Sequence, residues 1–288
     1  MTHDAPTTVR PAGRASSLGA LAFRDYQLLF AGTFTTQTGN WMQSVAIGWL
    51  ILEMTGSGFF LGLAGFLRSI PQLLFSIPGG ILADRVDRTR LLAIAQGLAA
   101  LLTIALALVV WLRWGDVWTI LLLTFLIGTS LSMVFPVRQT LVSTSVPPAY
   151  LASAVGINSA NNNLTRTLGP ALAGILLTQV GAAFCFFLQA GGLLFSFATS
   201  LLMRVPRTTR VTRGTPLSDL IDGWTYIRST PPVRGLLLSA LVPTALGMPY
   251  MALLPMFARD LGIGASGLGF LMTILGVGSI AGSVAFSL

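Results

Sequence analysis

Six polar or charged side chains stand where nearly every neighbour is apolar: Asn40, Gln43, Arg68, Asn158, Asn162 and Arg166. Polar groups deep in an apolar helix are costly, so by default they mark a pathway or a ligand site. Asn40 and Gln43 lie three apart, while Asn158, Asn162 and Arg166 follow at four-residue steps, so each set shares one helix face. Asn161 and Thr165 flank the second stripe. The spacing suits the lining of a substrate cavity; interhelical hydrogen bonding, at about 0.6 kcal/mol per contact, is the other reading of the asparagines. No Asp or Glu stands in the middle of an apolar run, and Glu53 sits at the outer end of the first. Guanidinium groups without central carboxylates make the cavity electropositive, which predicts a neutral or anionic small-molecule substrate.

The same inventory excludes several chemistries. His3 is the only histidine and Cys185 the only cysteine, which rules out a histidine-based triad within this chain, HExxH metal chemistry and any intrachain disulfide. No catalytic residue, metal site or cofactor is expected, and a membrane enzyme ranks behind a transporter. The stretch GVGSIA at 276–281 has dinucleotide-binding spacing, yet no strand precedes it, and close helix packing accounts for its glycines. The net charge of +8 is spread over short loops, which argues against a nucleic-acid partner.

The elements that must hold these residues are membrane helices. Of the 288 residues, 53% are hydrophobic and 9% charged, against about a quarter charged in soluble domains. Apolar runs near 20 residues long match a hydrocarbon layer about 30 Å thick. They predict eight spans, at about 26–53, 59–83, 91–112, 117–140, 151–178, 182–203, 233–258 and 266–288, with the lipid bilayer as their solvent. The polar opening residues contain no cleavable apolar signal. Arginine lies in the opening tail, near residues 85–90, at 138 and through 204–234 on one side, and at 113 and 259 on the other. This predicts a cytoplasmic N-terminus. Within 204–232, Thr215 can cap a helix with Pro216 in its first turn, and Leu217, Leu220, Ile221, Trp224 and Ile227 give it an apolar face. It reads as an amphipathic surface helix or an ordinary connector.

The bend GGILADRVDRTR, residues 79–90, carries five charges in the seven positions from Asp84 to Arg90. Gly80 permits close helix approach, and Asp84, at a span end, needs a partner or water. Arg85, Arg88 and Arg90 are at hand, and Arg138 near the same end of span four is the partner to test. The bend reads as a conformational latch or as a positive-inside anchor. Pro170, between Gly169 and Gly174, removes a backbone donor beside the polar stripe, giving a hinge or a packing kink.

Gly80, Asp84 and the spaced arginines after span two resemble the loop signature of the major facilitator superfamily. GNWMQSVAIGWLILEMTGS, GFLRSIPQLLFSIPGGILADR and SVPPAYLASAVGINSANNNLTRTLGPALAGILL are similar to the bacterial exporters that include enterobactin exporters and multidrug pumps. Asp87 stands where many members have glycine. Gly169-Pro170 resembles the span-five signature of antiporters, with Thr165 where an upstream glycine belongs. The resemblance implies an all-α integral membrane protein of the major facilitator fold: a tail at 1–25, an N-terminal six-helix bundle at 26–204, a cytoplasmic linker at 205–232, and the first two helices of a second bundle at 233–288. Aligning Gly269 on Gly62 places the counterpart of Gly80 at Ser287, so four further helices are expected to be missing. The implied function is export of a siderophore-like or drug-like molecule across the bacterial inner membrane by proton-coupled alternating access. A truncated, transport-inactive protein is the alternative.

Overall fold

The computed structural model describes residues 18–204, 225–247 and 250–287, without the side chains at 76–85, 240–247, 279–280 and 283–287. Among these residues the chain is all helix, with no strand. A 3₁₀ turn, Gly19–Ala22, precedes α1 (Arg24–Thr55), α2 (Gly58–Arg85), α3 (Arg88–Trp111), α4 (Val117–Leu131), α5 (Val134–Thr144), α6 (Leu151–Gln179), α7 (Ala182–Leu202), α8 (Pro231–Gly247), α9 (Tyr250–Asp260) and α10 (Gly264–Ser287). The amphipathic helix expected from Thr215 falls largely outside the described residues; 225–229 are helical.

Local chemistry sets the helix ends. Gly56 stops α1 at φ 64°, a left-handed conformation that suits glycine, and its N–H donates to Leu52 O. Asp87 caps α3 by accepting from the N–H groups of Thr89 and Arg90. Asp116 caps α4 through Thr119 N–H, and the Thr119 hydroxyl also donates to it at 2.7 Å. Those two bonds favour its charged form and hold its carboxyl below the usual range.

The span expected at 117–140 is one candidate span, Val117–Thr144, but it is broken into two helices that turn at Ser132–Met133. Pro136 has no N–H to give the Ser132 carbonyl, and its ring crowds that group, so the ladder cannot run through. Residues 19–22, expected in a solvated tail, dock: Ala20 is fully buried and its N–H donates to Ser153 Oγ at 3.2 Å. The end of α7 is tied to the start of α1 by Arg204 N–H donating to Asp25 Oδ1.

α1 packs against α6 and α7, α3 against α7 and α4, α2 against α4, and α10 lies along α6. Glycines set how closely they approach. A Cβ at Gly169 would lie 2.7 Å from Thr38 O of α1, and one at Gly269 would lie 2.7 Å from the Cα of Gly174.

Two large buried apolar clusters result, with a small third one of Ala99, Ala100 and Leu193 on α3 and α7. Of the large two, one joins Met42, Ile51, Leu106, Leu121 and Phe186; the other joins Tyr26, Leu29, Leu92, Leu141 and Ile157. Outward, Phe66, Leu73, Ile94, Leu101 and Trp111 are exposed, an apolar belt that fits lipid. By length and composition, Gly58–Phe75, Arg88–Trp111, Val117–Thr144 and Ala182–Leu202 can cross a membrane. α1 and α6 have 32 and 29 residues, long enough as well, and carry the polar stripes that dilute their hydropathy.

Candidate functional site

The two apolar clusters occupy opposite ends of α1 and α3, and the polar residues fall between them. Along α1, Leu29 belongs to one cluster and Met42 to the other, with Thr36, Gln37 and Asn40 in the interval. There a cavity of about 240 Å³ opens, with residues from α1 to α7 in its wall. Its walls are mostly polar, and among the described residues no Asp or Glu lines it.

Of the six residues expected there, Asn40, Arg68, Asn158 and Asn162 line the cavity. α2 delivers Arg68, whose Nη2 donates to Asn40 Oδ1 at 2.8 Å and to Asn40 O at 3.0 Å. A guanidinium can hold both acceptors and still present other N–H groups to a ligand. Gln37 Nε2 donates to Asn162 Oδ1 at the long distance of 3.5 Å.

Gln43 and Arg166 do not line the cavity. Gln43 is buried one turn beyond Asn40, on the apolar-cluster side. Arg166 stacks over the Trp41 ring at 5.6 Å, a cation–π contact between α6 and α1. A four-residue step advances slightly more than one helical turn, so a stripe of two such steps drifts around the helix. That drift takes Arg166 past the wall that holds Asn158 and Asn162.

Arg138, expected as the partner of Asp84, lines the cavity and donates through Nη2 to Thr36 Oγ1 at 3.0 Å; the Asp84 side chain lies outside the described residues. The break before α5 gives this segment a register of its own, which a continuous span would not share. The other latch residues, Gly80, Asp84 and Arg85, have side chains outside the described residues; Arg88 and Arg90 open α3. Gly169, Pro170 and Gly174, expected as a hinge, are buried in α6, with Gly169 against α1 and Gly174 against α10.

Several polar cavity residues escaped the sequence reading, among them Gln37, Gln72 and Gln139, and the most deeply placed are Gln96 of α3 and Gln189 of α7. Both are fully buried. Ser200 Oγ donates to Gln96 Oε1 at 3.2 Å. Among the described residues, Gln96 Nε2, both amide atoms of Gln189 and Nε of Arg138 have no hydrogen-bond partner. A buried polar group left so costs about 1–3 kcal/mol. The signal was present in the sequence: a lone glutamine in AIAQGLAA and another in CFFLQAGG, each as anomalous in an apolar run as an asparagine.

Set beside known proteins, residues 15–288 match the family described as transmembrane secretion effector. The chain is 28% identical over 260 residues to the Staphyloferrin A transporter of Staphylococcus aureus, covering 87% of this chain and 64% of that one. It is 25% identical over 272 residues to the multidrug efflux pump Tap of Mycolicibacterium fortuitum, covering 90% and 66%. It is also 25% identical over 260 residues to the enterobactin exporter EntS of Escherichia coli O1:K1 / APEC, covering 90% and 62%. The chain thus spans a little under two-thirds of the length of these relatives. Among solved structures, a bacterial homologue of the human lysosomal transporter Spinster, inward-facing and unoccupied, superposes with TM-score 0.69 at 18% identity, over 89% of this chain and 61% of that one. At that identity the likeness is one of fold.

Proposed function

Because the chain belongs to the transmembrane secretion effector family of the major facilitator superfamily, we propose that it takes part in exporting a neutral or anionic small molecule across a bacterial inner membrane by alternating access. The observation that carries this reading is the cavity between the two apolar clusters, where Arg68 and Arg138 face a mostly polar wall without a described carboxylate. Guanidinium groups in a low-dielectric interior attract anions and repel lipophilic cations. A relative named for a siderophore and another named for drugs both fit a cavity that moves small organic molecules, and the charge favours the first kind.

The domain plan proposed with it is a six-helix bundle at 26–204, a linker at 205–232 and a partial second bundle at 233–288, with a cytoplasmic N-terminus. Asp84 and its neighbouring arginines act as the latch at the end where α2 meets α3, and Gly169-Pro170 as the hinge. Proton coupling belongs to the proposal through the resemblance. Glu53, at the outer end of α1, is the acid proposed for it, and it accepts from Trp49 Nε1 at 2.6 Å.

The test is efflux from cells expressing the chain. An anionic siderophore should leave faster than a cationic dye, and a protonophore should stop it. Arg68→Ala should lower anion efflux at least tenfold while membrane insertion is retained, since it removes a buried charge and the anchor of Asn40. Preferential export of the cationic dye, unchanged by that substitution, would overturn the reading.

A further inference from the structure

We infer that the end of the bundle where α3 begins and α7 finishes carries a binding site for one anionic phospholipid of the adjoining leaflet, with Arg90 and Arg204 holding its phosphate and Arg24 beside them. The site lies outside the cavity and does not depend on the exporter reading.

The placement follows from how α3 and α7 pack. A Cβ at Gly97 would lie 3.3 Å from Phe197 Cδ2, Ser200 Oγ lies 3.2 Å from Gln96 Oε1, and Leu91 shares a buried cluster with Met203. The residue number falls on one helix as it rises on the other, so the two run antiparallel, and one step further sets Arg204 level with Arg90. The Arg204 N–H donates to Asp25 Oδ1 at 3.1 Å, which brings in Arg24 at the start of α1. All three arginines are exposed. No hydrogen bond or ion pair to their guanidinium groups is found among the described residues. The carboxylates next to them in sequence are engaged, Asp25 with that N–H and Asp87 as the cap of α3.

Charge alone would suit any anion, and the face beneath selects a lipid. Arg90 heads a row of Ile94, Leu98 and Leu101 on α3, spaced so that all four share one side of the helix. Ile94 is 67% exposed and Leu101 65%, and on α7 Leu201 and Leu202 are exposed just before Arg204. At 1.5 Å per residue the row from Ile94 to Leu101 runs about 10 Å, well into the roughly 15 Å of hydrocarbon in one leaflet. A molecule that satisfies both parts has a phosphate at one end and apolar chains at the other. Guanidinium groups hold phosphate through paired N–H donors, and basic sites between membrane helices take such headgroups. A zwitterionic headgroup would carry an ammonium group into a rim of three guanidinium groups, so the site favours a lipid of net negative charge.

The experiment takes the purified 288-residue chain in detergent, adds short-chain phosphatidylglycerol, and reads the retained lipid by native mass spectrometry. Phosphatidylcholine with the same chains is the zwitterionic comparison, and glycerol phosphate is the headgroup without its chains. One phosphatidylglycerol should be held about tenfold more tightly than phosphatidylcholine, and glycerol phosphate should not be retained. Arg90→Gln and Arg204→Gln should each weaken phosphatidylglycerol about fivefold and leave phosphatidylcholine unchanged, a loss of discrimination that structural damage would not produce. Arg113→Asn removes the same charge at the opposite end of α3 and should change neither lipid. Equal retention of the two lipids by the unaltered protein would sink the inference whatever the variants do. A loss at Arg113→Asn as large as at Arg90→Gln would show attraction to net charge rather than a site, and glycerol phosphate bound as tightly as the lipid would show an anion site open to water. Either result overturns it.

Discussion

At the scale of single residues, the protein separates charges that help from charges that only hold the scaffold. Arg68 and Arg138 each spend one nitrogen on a protein partner, Asn40 or Thr36, and that anchoring fixes the remaining N–H groups without neutralising them. Asp87 belongs to the scaffold. Amid the charges of the bend it looks like part of a latch, yet its carboxylate accepts from Thr89 N–H at 3.0 Å, from Arg90 N–H at 3.3 Å and from the Thr89 hydroxyl. It is the N-cap of α3. Glycine at an N-cap costs only a few tenths of a kcal/mol, whereas alanine costs about 1 kcal/mol. Asp87→Gly should therefore leave unfolding in detergent almost unmoved, and Asp87→Ala should lower stability by about 1 kcal/mol. Efflux should survive both. If Asp87→Gly abolished efflux at unchanged stability, the residue would be part of a latch after all.

At the scale of elements, the apolar runs made the helices legible, and the bounds of α1, α2, α3, α6 and α7 fall within a few residues of those read from the sequence. What the runs could not convey was register and approach. Pro136 was visible, but a proline near the start of an apolar run can kink a helix or end it, and only the neighbouring packing decides. Beyond the break at Ser132–Met133, Arg138 lines the cavity. Likewise the four-residue stripe on α6 was read as one face, although its last member, Arg166, has turned toward Trp41. Gln96 and Gln189 show the complementary limit: one amide in an apolar run has no periodic partner, so a search for stripes passes over it. Glycine contacts decide how α6 and α10 fit. A Cβ at Gly269 would fall 2.7 Å from Gly174 Cα and 2.8 Å from Pro170 O, and backbone cannot yield as a side-chain tip can. Gly269→Ala should destabilise the detergent-solubilised protein by about 1–3 kcal/mol. Gly278→Ala, on the same helix with nothing within 4 Å of its new methyl, should be neutral or slightly stabilising. Equal effects at both sites would show that α10 does not seat on α6 as described.

At the scale of the whole molecule, α9 closes one end. Where α1 turns into α2, Pro255 lies 3.0 Å from the position of a Cβ at Gly48, Met256 Sδ lies 3.3 Å from one at Gly58, and Arg259 Nη1 donates to the Gly56 carbonyl at 3.4 Å. Gly56 is the C-cap of α1, so the contact joins α9 to the turn between α1 and α2. Alternating access requires such a closure to be weak enough to open. The Arg259 bond is long and lies at the surface, with the side chain 42% exposed and Asp260 drawn beside it at 3.5 Å. Its net contribution is then at most about 0.5–1.5 kcal/mol, or roughly a twofold to tenfold bias between open and closed forms. Arg259→Ala should shift the balance by that factor toward opening at this end. A cysteine at Asn158, on the cavity wall, would report it, because the native Cys185 is fully buried and stays silent. A membrane-impermeant maleimide added from the α1–α2 turn side should label Asn158→Cys slowly, and two to ten times faster once Arg259 is replaced. Labelling from the opposite side should slow by no more than that factor, since both rates draw on one equilibrium. Faster labelling from both sides at once would mean that Arg259 supports the fold generally, and the alternating access proposed above would lose its gate at this end.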